Sequence, residues 1–245
     1  MALVHELERS GNWLFRRRSW LPVFFVAAGI AALYLTNRQA IIFNLTPELL
    51  FPGVSLLGEA VRIYTVGHAA KNTSGRNTAA GQIADELNTT GIYSLVRHPL
   101  YMGNFLMWLG PVLFVRSLIF LVLFLLVYWL YYERIIFAEE QFLRKKFGDV
   151  YDGYSEKVRA VLPGFSGFVK PSLPFSLKSV LKREYNSFVN IFLIFVLLDL
   201  FRNYFLSERI YLTPAWIYIA VPAGLIWVVI RLVHKRTSLL REDDK

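Results

Sequence analysis

The chain contains no cysteine among its 245 residues. Disulfides, thiolate metal sites and cysteine nucleophiles are thereby excluded, and the redox compartment is left open. Also missing are an internal repeat, a disordered low-complexity tract and any aromatic-rich soluble platform on which nucleic-acid bases would stack. Charge is scarce, at 18% of residues. What fills the space is apolar: 55% of residues are hydrophobic and 16% aromatic, mean hydropathy is +0.42, and the apolar residues come in blocks. That combination marks an integral membrane protein, a single domain by length. The formal net charge of +9 then points to cytoplasmic loops facing anionic lipid rather than to nucleic acid.

The apolar blocks are too long for barrel strands, so the expected class is all-α, a polytopic helical membrane protein. Behind the basic, amphipathic start with Arg16, Arg17 and Arg18, residues 21–35 are uncharged, with Trp20 and Tyr34 as interfacial anchors. A cleaved signal peptide is the rival reading; the absence of a small-x-small site favours a retained helix. Residues 40–64 form an impure second block, broken by Glu48, Pro52, Glu59 and Arg62. Residues 66–90 are a polar loop of irregular backbone. Residues 101–138 are too long for one helix, and Gly110, Pro111, Arg116 and Ser117 mark a hairpin turn between residues 100–113 and 117–138. Residues 188–205 and 213–233 complete six expected spans. Lysine and arginine concentrate between residues 134 and 186, so this side, both termini and the polar loop are expected to be cytoplasmic, with outer turns near Asn37, Arg116 and Ser207. Three regions follow: residues 1–66 with the basic segment and two spans, a core at 67–163, and residues 164–245 with a linker and two C-terminal spans.

Chemistry concentrates on the cytoplasmic side. "GIYSLVRHPLYMGNF" places Arg97, His98 and Pro99 at the start of the hairpin. Pro99 suits the first turn of a helix, and the helix end beside Arg97 and His98 favours an anion such as a carboxylate or phosphate. The return arm leaves the membrane with Glu139 and Glu140, which could hold a cation or an ammonium group. Phe147, Tyr151 and Tyr154 follow at a spacing that suits one helical face. Anion-binding helix end, carboxylates and rings together suit a zwitterionic ligand that also carries a cation. Each feature has a plainer reading. Arg97 and His98 are equally an interfacial anchor, the glutamates a solvated helix end paired with Arg144 or Lys145, and the tyrosines packing. Glu48, Glu59 and Arg62 line a cavity or form an intramembrane ion pair.

The stretch "LNTTGIYSLVRHPLYMGNF", a hydrophobic hairpin and then "AEEQFLRKKFGDVYDGYSEKVRAVLP" resembles the isoprenylcysteine carboxyl methyltransferase and phospholipid methyltransferase superfamily. The resemblance rests on Thr89 or Thr90, Gly91, Tyr93, Arg97, His98, Pro99, Tyr101, Gly103, Glu139, Glu140, Phe147, Gly148, Tyr151, Tyr154, Leu162 and Pro163, with "TSGRN" upstream. It implies a membrane enzyme that moves a methyl group from S-adenosylmethionine to the polar end of a lipid-like or prenylated acceptor reaching it from the bilayer. It further implies a cytoplasmic-face cofactor pocket lined by Leu87, Tyr93, His98, Pro99, Leu100, Tyr101, Glu139 and Glu140, with Arg97 and Arg134 as catalytic candidates and no metal. One departure stands out: the family's acceptor arginine, four residues before the cofactor glutamate, is replaced by Ile135, with Arg134 beside it. Two other classes stay open: a nicotinamide-dependent membrane reductase of the sterol-reductase type, and a non-catalytic scaffold or small transporter. The acceptor and the oligomeric state are not legible.

Overall fold

The computed structural model describes residues 2–18, 20–36, 44–70, 73, 82–237 and 239. Their order is α1 (Leu3–Arg16), α2 (Leu21–Leu35), α3 (Leu45–His68), a short 3-10 turn (Ile92–Ser94), α4 (Pro99–Phe114), α5 (Leu118–Phe147), α6 (Asp149–Lys157), α7 (Leu177–Ser207) and α8 (Pro214–Arg236). The class is all-α, with one isolated antiparallel bridge between Gly91 and Val169 among the described residues. Residues 40–43, the turn near Asn37 and residues 74–77 of "TSGRN" lie outside the described residues.

The sequence dictates the helix ends. Ser117 caps α5 by accepting the Phe120 N–H at 3.3 Å, and Gly148 stops the helix in a positive-φ conformation, φ 54°. Ser176 caps α7 in the same way. Pro99 occupies the first turn of α4, where a missing N–H costs nothing.

The outward faces are apolar. Leu118, Leu123, Leu126 and Leu130 of α5, and Val221, Leu225, Val229 and Leu232 of α8, are all exposed, which water would not tolerate and lipid requires. The span count differs from six. Four described helices are long and apolar enough to cross a membrane, or five if the bent pair α1 and α2 makes one span. The reason is length: α2 has 15 residues and α4 has 16, about 22–24 Å at 1.5 Å per residue, short of a hydrocarbon layer of about 30 Å. By contrast α5, with 30 residues, is about 45 Å long, so it projects well past the hydrocarbon. Similarly α7 starts at Leu177, eleven residues before the apolar block.

Close backbone contact holds the centre. A Cβ on Gly58 would lie 2.4 Å from the Gly103 carbonyl oxygen, and one on Gly103 would lie 2.6 Å from Cγ of Arg62. Only glycines allow α3 and α4 to pack this tightly. Ser55 seals the contact with a 2.8 Å hydrogen bond to the Met107 carbonyl. An aromatic core of Phe25, Phe114, Phe124, Tyr128, Phe195 and Trp216 joins α2, α4, α5, α7 and α8. The bundle therefore has two ends. One carries the start of α4, the end of α5 and α6; the other carries the α4–α5 turn and the α7–α8 turn.

Candidate active site

The segment before α4 is held by the tail that follows α6. Gly91, at φ 62°, donates its N–H to Val169 at 2.9 Å. Leu95 accepts from Gly164 at 2.8 Å, and the N–H groups of Arg97 and His98 donate to Arg159 and Ala160 at 2.9 and 3.2 Å. Both motifs are thus clamped into one unit, although about sixty residues separate them.

Inside the clamp the charges meet. Arg97 donates from Nε and Nη2 to one oxygen of Glu140 at 2.9 and 2.7 Å. Its Nη1 reaches the carbonyls of Ser155 and Val158 at 2.7 and 2.5 Å, closing the end of α6. His98 is buried, with Nε2 at 3.0 Å from the same Glu140 oxygen and Nδ1 at 3.6 Å from Glu139. Tyr101 donates its hydroxyl to Glu139 Oε2 at 2.7 Å, and Tyr154 donates to the Tyr93 carbonyl at 2.7 Å. Burial works against the His98 proton, but the hydrogen bonds and charges of Glu139 and Glu140 outweigh it and push the imidazole up to about 9. Burial foremost, with the Glu139 charge adding to it, raises Tyr93, and burial likewise raises Tyr151 and Tyr154. The phenols are therefore neutral and His98 is a cation at neutral pH, so neither group is available as a base.

A cavity opens beside this cluster. Leu87, Tyr93, His98, Pro99, Leu100, Tyr101 and Glu139 all line it, together with Arg97. Glu140 does not; it stands behind His98 and Arg97. Arg134 is not brought there either: it lies on the α5 side that faces α1, its guanidinium donating to the Leu130 carbonyl at 3.0 Å. Ile135 is fully buried. The plainer reading of Arg97 and His98 as lipid-facing anchors does not hold, since both side chains turn inward to carboxylates.

Sequence reasoning missed further wall residues: Phe15 of α1, Gln82 and Ile83 of the extended segment before Leu87, and Phe142 and Leu143 of α5. Phe142 and Leu143 follow Glu139 by three and four positions and share its helical face, a signal the sequence did carry. For Phe15 no local signal existed.

The chemistry of the wall fits an adenosyl sulfonium amino acid. Tyr101 and His98 both approach Glu139 at Oε2, which leaves Oε1 for an ammonium group. Tyr93, Tyr101, Tyr154 and Phe15 offer ring faces for a cation, and Ile83 and Leu87 offer apolar surface for a base. The cavity is narrow, about 60 Å³, whereas ligand sites of this kind run to several hundred cubic ångströms.

A family model described as phospholipid methyltransferase matches residues 53–150. Protein-S-isoprenylcysteine O-methyltransferase of Schizosaccharomyces pombe is 35% identical over 112 residues, 45% of this chain and 47% of that protein. A probable protein-S-isoprenylcysteine O-methyltransferase of Oryza sativa is 33% identical over 143 residues, 53% of this chain and 74% of its own length. The nickel-cobalt-cadmium resistance protein NccN of Alcaligenes xylosoxydans is 34% identical over 89 residues, 36% of this chain and 41% of that protein. The chain thus spans about half of the fission-yeast relative and three quarters of the rice one. No solved structure matches it. The matched core contains α4, α5 and the Arg97–His98–Glu139–Glu140 cluster, and with the rice protein covered over most of its length, the chain belongs to the family of integral membrane phospholipid and isoprenylcysteine methyltransferases.

Proposed function

We propose that the protein transfers a methyl group from S-adenosylmethionine to the polar end of a lipid-like or prenylated acceptor, at the cytoplasmic end of the bundle. One observation carries the reading: Leu87, Tyr93, His98, Tyr101 and Glu139, drawn from two separate stretches of chain, line a single cavity. When bound, the cofactor supplies an electrophilic methyl on a sulfonium. The protein's part is positioning and the exclusion of water. Glu139 holds the ammonium end, and Tyr101 fixes the Glu139 rotamer. The neutral rings of Tyr93 and Tyr101 face the positive sulfur. Arg97 and Glu140 touch no reacting atom on this reading; they brace His98 and α6 against α4. Arg134, placed elsewhere, has no role in the pocket.

The narrow cavity means that the cofactor enters by displacing part of its wall. Several basic residues of this end, including Lys145, Lys157, Arg159, Lys178 and Lys182, support a cytoplasmic placement by the bias of lysine and arginine.

Calorimetry with detergent-purified protein tests the cofactor. Loss of a charged hydrogen-bond partner is worth about 1.5–3 kcal/mol, so Glu139→Ala should weaken S-adenosylmethionine roughly 10- to 100-fold. Unchanged affinity in Glu139→Ala and in Leu87→Asp would overturn the assignment. Incubation with methyl-labelled cofactor and total membrane lipid, followed by mass spectrometry, should then reveal the labelled acceptor.

A further inference from the structure

Helix α1 presents a basic, tryptophan-bearing face at the level of the bilayer surface. Two observations set that level. Gly11 packs on α5 at Arg134 and Ala138. Ala138 lies about 30 Å along α5 from its exposed, apolar start at Leu118, the thickness of the hydrocarbon layer. Independently, the uncharged run of α2 begins at Leu21, so Arg17, Arg18 and Trp20 lie where hydrocarbon gives way to headgroups. The side of α1 turned away from α5 carries His5, Arg9, Trp13 and Arg16, with Arg17 and Trp20 following the helix end; all six are exposed. Within α1 they recur at three- and four-residue steps and so share a face. Arg17 lies 4.4 Å over the Trp13 ring. Glu6 is the one acid on this face among the described residues, since Glu8 turns to Lys145. The opposite side buries Gly11 and Phe15. Phe15 lines the proposed cofactor cavity, and Arg18 stacks on its ring at 4.4 Å.

Resting on the methyl-transfer reading, we infer that this face is a docking surface for anionic phospholipid headgroups, and that lipid seated on it holds α1, and Phe15 with it, in the wall of the cofactor cavity. Charge complementarity names the occupant. Guanidinium groups grip lipid phosphates, and tryptophan rings settle at headgroup level. The sign of the coupling follows from the two sides of the helix. Docked on α5, α1 has its apolar side covered and its basic side turned to the headgroups. Released, it would lay the apolar side on the bilayer and turn the arginines toward water. Anionic lipid thus favours the docked state, and a ligand shifts an equilibrium by just such a difference in affinity. No residue of α1 falls within the matched residues 53–150, so this control is built outside the shared core.

The test places the full chain in nanodiscs of phosphatidylcholine, alone or mixed in equal parts with phosphatidylglycerol, and measures S-adenosylmethionine affinity by calorimetry. Affinity should be at least about fivefold tighter in the mixed discs. The triple variant Arg9→Gln/Arg16→Gln/Arg17→Gln should bind the cofactor alike in both, with the parent's affinity in phosphatidylcholine. Lys235→Gln/Arg236→Gln, which removes exposed charge after α8 instead, should keep the full response. Native mass spectrometry reads the lipid itself: the parent should retain phosphatidylglycerol and the triple variant should lose it. By linkage, bound cofactor should strengthen that retention by the same factor. Equal cofactor affinity of the parent in the two discs, or a triple variant that still responds, would overturn the inference. So would a triple variant whose native mass shows loss of a dimer rather than of lipid, which would put a second copy of the chain on this face. Failure of the methyl-transfer reading looks different: no cofactor binding in either disc, while phosphatidylglycerol is still retained by the parent and lost by the variant, a result that keeps the lipid surface and removes the cofactor.

Discussion

His98 keeps its proton because two carboxylates face it, and this gives the site a pH signature. Its ordinary value is 6.5, and in the fold it rises to about 9. A group whose value is raised on folding contributes stability that is fully present below 6.5 and is lost as pH climbs through 9. The unfolding midpoint should therefore decline from near pH 6.5 to about 9.5. In His98→Gln, which keeps a hydrogen-bonding group but cannot take a charge, that decline should be much flatter, as thermal unfolding at a series of pH values would show. A profile as steep as that of the parent would remove His98 as its source. Glu59 is a second unusual residue: it is buried, and both carboxylate oxygens lack a hydrogen-bond partner among the described residues. The sequence suggested that Glu48, Glu59 and Arg62 line a cavity or form an intramembrane ion pair. Arg62 lines a cavity, and Arg62 and Glu48 each form an ion pair, with Glu184 and Arg202 of α7. Their partners are 122 and 154 positions away, a separation no local spacing rule spans.

Helix α1 belongs to the site as an element. Gly11 sets its approach to α5: a Cβ there would fall 2.0 Å from the Arg134 carbonyl oxygen and 2.7 Å from Cβ of Ala138. Tyr131 adds a 3.2 Å hydrogen bond to the Leu14 carbonyl, and Lys145 pairs with Glu8. That docking brings Phe15 to the wall of the proposed cofactor cavity. Gly11→Leu must push α1 away. Since α1 lies at the edge of the bundle, the chain should stay folded while affinity for S-adenosylmethionine drops at least fivefold, and calorimetry beside a thermal melt would separate the two effects. An affinity equal to that of the parent would show that α1 is not part of the wall. The amphipathic pattern of this segment was legible, but not its target, because the pattern marks which face is buried and not against what.

The whole molecule is tied at its far end by a second polar cluster. Glu48 of α3 accepts from Arg202, from Arg116 at 3.4 Å and from the Trp216 indole at 3.2 Å. Asp199 accepts from Arg202, from Asn203 at 3.1 Å and from the Thr213 N–H at 2.8 Å. This network binds the α7–α8 hairpin to α3 and to the α4–α5 turn. Breaking a buried pair from one side leaves an uncompensated charge and costs about 3–5 kcal/mol. Arg202→Met should therefore lower the unfolding temperature sharply, yet leave cofactor affinity nearly unchanged at temperatures where the variant is folded, because the network sits at the opposite end from Glu139. A normal melt would show that α7 and α8 are held by their aromatic packing alone.

By itself the sequence determined the apolar, all-helical class, the α4–α5 hairpin and the two motif stretches that meet at the pocket, because hydrophobic run length, capping residues and short-range spacing are local properties. It showed that residues 21–35 and 100–113 are short, but not that their helices end at 15 and 16 residues without extension into the flanks, since composition shows where apolar residues lie and not where hydrogen bonding stops. Only the tertiary structure decided that Arg97 braces Glu140, that Arg134 faces α1, that Phe15 joins the wall, and that Arg62 is set by Glu184 beside a cavity. These are contacts between distant segments, and they form only once helix packing has fixed which side chains share a space.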